Sequence, residues 1–139
     1  MIKSLPSMEH TFSVELKGSD GNQAFVGQFT YKRPNIRTKS EIAKTAASLN
    51  GGLQGLDADT KFLHEVLATL RHTITESPDW WQKADYGYEL YDVNVVFDIY
   101  KACNDFEAEW FDKVWSEEDK DEDKDEKSLK NAKKEKKNG

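Results

Sequence analysis

Two runs of alternating apolar and polar residues near the start of the chain predict a β-hairpin over residues 11–31. Between them lies the segment GSDGN, whose Asp-Gly pair tolerates the positive φ of a hairpin turn. A lone hairpin is marginal in water, so we expect its apolar face to pack on helices or to be extended by another chain's strand. That face carries Phe12, Val14, Leu16, Phe25, Gly27, Phe29 and Tyr31.

Helical periodicity then predicts three helices, over about residues 38–49, 58–75 and 92–115. The first has a T-x-x-E capping box at Thr38 and Glu41, and its apolar face is small and rich in alanine. The second and third carry long core-facing stripes, and Cys103 falls on the stripe of the third. Asn50-Gly51-Gly52 ends the first helix and Ser77-Pro78 ends the second.

These elements predict an α+β fold: an N-terminal β-hairpin followed by a small three-helix bundle, in one domain over residues 1–115. Residues 116–139 lack apolar periodicity and turn from acidic to basic. Blocks of charge without apolar residues cannot offset chain entropy, so we expect a disordered charged tail.

The formal net charge of −6 argues against nucleic-acid binding, which needs a basic surface. No run approaches the roughly 20 apolar residues that span a bilayer, and none resembles a signal peptide. A single cysteine excludes an intrachain disulfide and favours a cytosolic protein.

Tests for catalytic or metal chemistry all favour structural explanations. His64 and His72 are eight residues apart, unlike the i, i+4 pair of a zinc helix. Phosphate-binding and nucleophile-elbow motifs are absent, and Cys103 has the position of a buried residue. The acidic part of the tail lacks the glycine and final glutamate of an EF-hand loop. We therefore predict no catalytic residues, no metal and no cofactor.

The segment Pro78-Asp79-Trp80-Trp81 has two interpretations, because consecutive tryptophans cannot both follow one helical face. One or both plug the end of the bundle, or they join nearby tyrosines in a partner-binding patch, since Trp and Tyr are frequent interface anchors. The candidate partner-binding residues are Trp80, Trp81, Tyr86, Tyr88 and Tyr91, with Phe25, Phe29 and Tyr31 of the hairpin.

Four stretches in this order give the chain a resemblance to a known family: FVGQFTYKRP, LNGG, LHEVLATLRHTITESPDWW and YELYDVNVVFDIYKACNDFEAEW. Together they resemble the short tail assembly chaperones of long-tailed (siphovirus-type) bacteriophages, over about residues 11–111. The resemblance lies in the order of elements and in the P-x-W-W and F-E fragments.

The resemblance implies non-enzymatic work in the host cell cytoplasm. Such chaperones coat the tape-measure protein, keep its hydrophobic helices soluble and help to recruit tail-tube subunits. Many are also made in a longer form by ribosomal frameshifting, and the lysine pairs at 133–134 and 136–137 fit codons on which ribosomes slip. The tail would then be a linker to a further domain. Self-association is a further expectation, through the hairpin edge or the small-residue face of the first helix.

Two other functions stay open at this point. A structural subunit of the phage virion, such as a head-tail connector or tail component, is also a small α+β protein. An acidic mimic of DNA would need carboxylates ordered on a folded surface, whereas the densest acidic block here lies in the tail.

Overall fold

The computed structural model describes residues 5–18, 23–52 and 55–137, with side chains up to residue 116. It divides into two compact units, Ser7–Phe106 and Met1–Pro6 with Glu107–Gly139. Strands and helices are both present, so the α+β class is confirmed. In chain order the elements are β1 (Glu9–Lys17), β2 (Ala24–Lys32), α1 (Ile36–Leu49), α2 (Ala58–Thr73), β3 (Ile74–Glu76), α3 (Asp79–Lys83) and α4 (Val93–Lys137).

The predicted hairpin is present and its strands are longer than expected. β1 and β2 pair antiparallel in one register, from Glu9 opposite Lys32 to Lys17 opposite Ala24. Residues 19–22, which hold most of the predicted turn, lie outside the described residues. Within the described chain the sheet has the order β1-β2-β3, so β1 is an edge strand.

The prediction that the second helix continues to residue 75 is wrong, because the chain enters β3 after Thr73. Ile74 and Thr75 are β-branched and favour extended backbone. The open edge of β2 supplies the partner: Ile74 lies opposite Tyr31, and Glu76 lies opposite Thr30. Backbone pairing over a long sequence separation therefore overrides the helical period.

Two further differences concern helix starts. Asn35, not Thr38, caps α1, since its Oδ1 accepts a hydrogen bond of 2.9 Å from the Thr38 N–H. The predicted capping box is therefore wrong and the helix begins earlier. The short helix α3 was not predicted; it follows Pro78 and carries the tryptophan pair.

The core of the Ser7–Phe106 unit lies between one face of the sheet and the helices. Alternation along the strands turns Val14, Phe25, Phe29 and Tyr31 to this face. The other contributors are Val66, Leu67 and Leu70 of α2, Trp81 of α3, and Val95, Val96, Ile99 and Cys103 of α4. The sheet and the helices thus form two layers around one apolar core.

The second unit contains the later part of α4, where the Trp110 indole donates a hydrogen bond of 3.4 Å to the Pro6 carbonyl. The backbone of α4 continues as helix to Lys137. The expected disordered tail over 116–139 is therefore not confirmed, and the side chains after residue 116 lie outside the described part of the chain.

Candidate partner-binding surface

The hairpin aromatics among the predicted partner-binding residues lie in the core. Phe29 is fully buried, and Phe25 and Tyr31 are nearly so. The Phe29 ring meets the Trp81 ring edge-on, with centroids 5.5 Å apart. Buried rings in this geometry stabilise the fold and leave little surface for a partner. We call Phe25, Phe29, Tyr31 and Trp81 the aromatic core cluster.

The two tryptophans of α3 have different environments, as residues on successive positions of a short helix should. Trp81 has no exposed surface, and its indole N–H has no hydrogen-bond partner among the described residues. Trp80 is half-buried and donates a 2.9 Å hydrogen bond from Nε1 to the Val26 carbonyl. Both side chains therefore attach α3 to the sheet.

A glycine makes the room that Trp81 needs. Gly87 has φ +91, and a methyl group added there would lie 2.5 Å from the Trp81 ring. The preceding residues Asp85 and Tyr86 also have positive φ, at 49 and 56. The tight left-handed turn after α3 closes over Trp81 and directs the next side chains outward.

Tyrosines from this turn line a small pocket against α1 and α2. The Arg71 guanidinium carbon lies 3.4 Å from the centre of the Tyr86 ring, a cation–π contact. Tyr88 is half exposed, and its ring centroid is 6.4 Å from that of His64. The pocket holds about 120 Å³ and is lined by Thr45, Leu49, Leu67, Arg71, Asp85, Tyr86 and Tyr88.

Both histidines of α2 hold α1 in place beside this pocket. His72 Nε2 and Thr45 Oγ1 share a hydrogen bond of 2.7 Å, and so do His64 Nδ1 and Asn50 Oδ1. These contacts give the two histidines a structural role in the packing of α1 on α2.

Tyr91 is the most exposed of the predicted residues, since its side chain stands fully in solvent just before α4. Its neighbour Asp92 is buried, and Asp92 Oδ1 accepts a 3.1 Å hydrogen bond from the Asn94 N–H. The backbone beneath Tyr91 is therefore fixed while the ring itself has open surroundings.

A larger apolar surface, not predicted from the sequence, lies between α2 and α4. We call it the aromatic groove; it holds about 330 Å³ and is lined by Asp59, Phe62, Leu63, Val93 and Phe97. Phe62 and Phe97 stack with centroids 5.9 Å apart and planes 13° from parallel. Phe62 is 48% exposed and Val93 is 43% exposed, so the groove offers apolar surface to solvent.

Acidic groups flank the start of α2 at this groove. Asp57 caps the helix, and hydrogen bonds from the Thr60 hydroxyl and backbone N–H hold its pKa below the ordinary value of 3.8. The hydroxyl bond is 2.6 Å and the backbone bond is 3.2 Å. Asp59 in the first turn adds a second exposed carboxylate. A partner with apolar side chains and a basic residue at one end would match this surface.

The sequence carried a weak signal for the groove. Phe62 is adjacent in sequence to Leu63, and Phe97 is adjacent to Val96. Leu63 and Val96 belong to the core-facing stripes of their helices, so each phenylalanine lies to one side of a stripe. Two large aromatics in that position on two helices are consistent with a second apolar face. Only the packing of α2 beside α4 brings them together.

The described residues carry no group of three or more His, Cys, Asp or Glu side chains arranged to hold a metal ion. In that part of the chain, no helix has an apolar stretch long enough to cross a membrane. Comparison with protein-family models, curated proteins and solved structures finds no match to this chain.

Proposed function

We propose that this chain is a non-enzymatic tail assembly chaperone of a long-tailed bacteriophage, which binds apolar helices of the tape-measure protein through the aromatic groove. The observation that carries the proposal is the stacked pair on two packed helices, in which Phe62 is half exposed and Phe97 is partly buried. An amphipathic helix laid into such a groove would bury the apolar surface that α2 and α4 leave in solvent.

The order of sequence elements supports the specific client. The hairpin, the alanine-rich helix, the P-x-W-W segment and the final aromatic helix resemble the tail assembly chaperones, whose client is the tape-measure protein. Recruitment of tail-tube protein and work in the host cytoplasm belong to the same proposal. Tyr88 and Tyr91, exposed near the start of α4, are candidates for that second contact.

Co-expression with the tape-measure protein of the same genome tests this function. We expect the wild-type chain to keep the tape-measure protein in the soluble fraction and to co-purify with it. Phe62→Ser should reduce both effects, because it removes half of the stacked pair. Ile36→Ser is the matched control, since Ile36 is an exposed apolar residue on α1 that does not line the groove.

Two outcomes would overturn the proposal. If Phe62→Ser and Ile36→Ser co-purify with the tape-measure protein equally well, the groove is not the surface that binds it. Finding the chain as a regular component of purified mature particles would instead favour the structural subunit of the virion.

The longer frameshifted product is a separate part of the proposal. Expression of the native gene with its downstream sequence should give a second product that shares residues 1 to about 130 with this chain. Silent recoding of the lysine codons at 133–134 and 136–137 should abolish that product, and an unchanged product would exclude slippage there.

A further inference from the structure

Among the described residues, no strand pairs with the edge of β1 that faces away from β2. At the two ends of the ladder, the Arg33 N–H donates to the Met8 carbonyl (2.8 Å) and the Gly18 N–H donates to the Gln23 carbonyl (2.7 Å). In an antiparallel pair the direction of these groups alternates, so the even-numbered residues of β1 bond to β2. The odd-numbered residues, Glu9, Thr11, Ser13, Glu15 and Lys17, direct their N–H and C=O groups away from the sheet.

A local contact agrees with this assignment. The Ser7 hydroxyl accepts a hydrogen bond of 3.1 Å from the Glu9 N–H and donates one of 3.0 Å to the Glu9 carbonyl. Both backbone groups of Glu9 therefore point away from β2, and a strand paired at this edge would replace their two bonds to the Ser7 hydroxyl. β1 contains no proline within its nine residues, one of the devices that otherwise protect an edge strand from pairing.

The sequence of this edge is complementary to itself. When two copies of β1 lie antiparallel with Ser13 opposite Ser13, Glu9 of each copy lies opposite Lys17 of the other. Thr11 then lies opposite Glu15, and all nine residues are paired. This register also joins odd-numbered residues to odd-numbered residues, which is the set whose backbone hydrogen-bonding groups point away from β2.

The two nearest registers of the same kind either place like charges opposite each other or shorten the ladder. A slip by two residues in one direction sets Glu9 opposite Glu15, which places like charges together. A slip in the other direction moves Glu9 and Lys17 apart and shortens the ladder. The register centred on Ser13 is the one that pairs the full strand and places opposite charges at both ends.

The core-facing side of β1 gains from the same pairing. Phe12 and Leu16 are only half-buried in the single chain, whereas Val14 is buried. In the paired sheet Phe12 lies opposite the second copy's Val14, and Leu16 lies opposite its His10. Cross-strand contacts of this kind stabilise antiparallel pairs.

We propose that two copies of this chain associate through β1, antiparallel about Ser13, to form one continuous sheet across a two-fold axis. The charge complementarity of Glu9 and Lys17 fixes the register. The proposed dimer does not use the aromatic groove. A test of dimerisation and a test of client binding can therefore give different results.

Sedimentation analysis of the full chain over a concentration series tests the pairing. We expect a reversible monomer–dimer equilibrium in the wild type. Ser13→Pro should give a monomer with an unchanged far-ultraviolet spectrum, because the Ser13 N–H makes no bond to β2 and proline would block only the open edge. A strictly monomeric wild type up to its solubility limit, or a Ser13→Pro variant that dimerises normally, would overturn the proposal.

A charge exchange tests the register itself. Lys17→Glu and Glu9→Lys should each weaken the homodimer by about tenfold, since two symmetry-related pairs change from attraction to repulsion. A mixture of the two variants should form a heterodimer, in which every lysine of the pair again faces a glutamate. Lys39→Glu, on exposed α1, is the control for net charge. A mixture that associates no better than its separate components would overturn this register.

Discussion

The aromatic core cluster and the aromatic groove use the same kinds of side chain in opposite environments. Phe29 and Trp81 have no exposed surface, whereas Phe62 is about half exposed. The Phe29 and Trp81 rings of the core cluster meet edge-on, and they lie between the sheet and the helices. The groove rings Phe62 and Phe97 stack on each other, and Phe62 keeps about half of its surface in solvent.

This difference teaches that neighbouring elements, and not residue type, decide which aromatic residues are available for binding. Trp81 is buried because a glycine turn closes over it and a strand face lies beneath it. Phe62 is exposed because the described residues place no element over the outer side of α2 and α4 at that point. We therefore expect changes in the first region to act on stability and changes in the second to act on binding.

The largest expected effect is the loss of a core ring. Trp81→Ala should lower the free energy of unfolding by about 3–5 kcal/mol, through lost burial and the cavity that remains. Since a domain of this size has roughly 5–15 kcal/mol in total, the substitution removes a large share of its stability. Chemical denaturation followed by circular dichroism measures the change. A loss below about 1 kcal/mol would contradict the core assignment of Trp81.

A pair of glycine substitutions sharpens the same point. Gly87→Ala and Gly51→Ala both place a side chain at positive φ, which costs about 1–2 kcal/mol. Only Gly87 has the Trp81 ring within 2.5 Å of the added methyl, while Gly51 has nothing within 4 Å. Denaturation midpoints should therefore fall clearly further for Gly87→Ala. Equal losses would show that the turn does not close over the ring.

Acid should weaken the start of α2, the helix that contributes to both regions. The pKa of Asp57 is lowered by the Thr60 hydrogen bonds, so its contribution is complete above the ordinary value of 3.8. It is lost as the pH falls below that value through the lowered folded-state pKa. Asp57→Asn keeps a capping side chain without the titration and should remove this part of the pH dependence. Thermal unfolding of both proteins between pH 5 and pH 2 (roughly the range over which carboxylates titrate) measures the difference.

The smallest expected effect on stability belongs to the exposed rings. Tyr91→Ser and Phe62→Ser should each change the free energy of unfolding by less than about 1 kcal/mol, because neither side chain is enclosed. Phe62→Ser should nevertheless weaken client binding. A stability loss as large as that of Trp81→Ala would mean that the groove is part of the core.

Local patterns were enough to predict the hairpin and the central parts of α1, α2 and α4, because alternation and helical period are properties of consecutive residues. They were not enough for β3, whose strand state depends on the edge of β2 more than forty residues earlier. The tryptophan pair shows the same limit. Its two positions were recognised as unusual, but the sequence does not reveal that Trp81 is enclosed and that Trp80 bonds the Val26 carbonyl.

The sequence indicated which aromatic residues are exposed only in part. Tyr88 and Tyr91 are exposed, in agreement with a place in a binding patch, while Phe25, Phe29 and Tyr31 are buried. Alternation cannot distinguish an apolar face that binds a partner from one that the same chain covers, since both have the same pattern. Phe62 and Phe97 were missed because their proximity arises only when α2 packs beside α4.

Hydroxyl-radical footprinting of the chain with and without its tape-measure protein tests the central claim most directly. Oxidation of Phe62 and Phe97 should fall when the client is bound, while the already protected Phe29 and Trp81 should not change. Tyr91 reports whether the contact extends beyond the groove. Unchanged oxidation of Phe62 in a demonstrated complex, or new oxidation of Phe29 and Trp81, would contradict binding through the aromatic groove of an intact core.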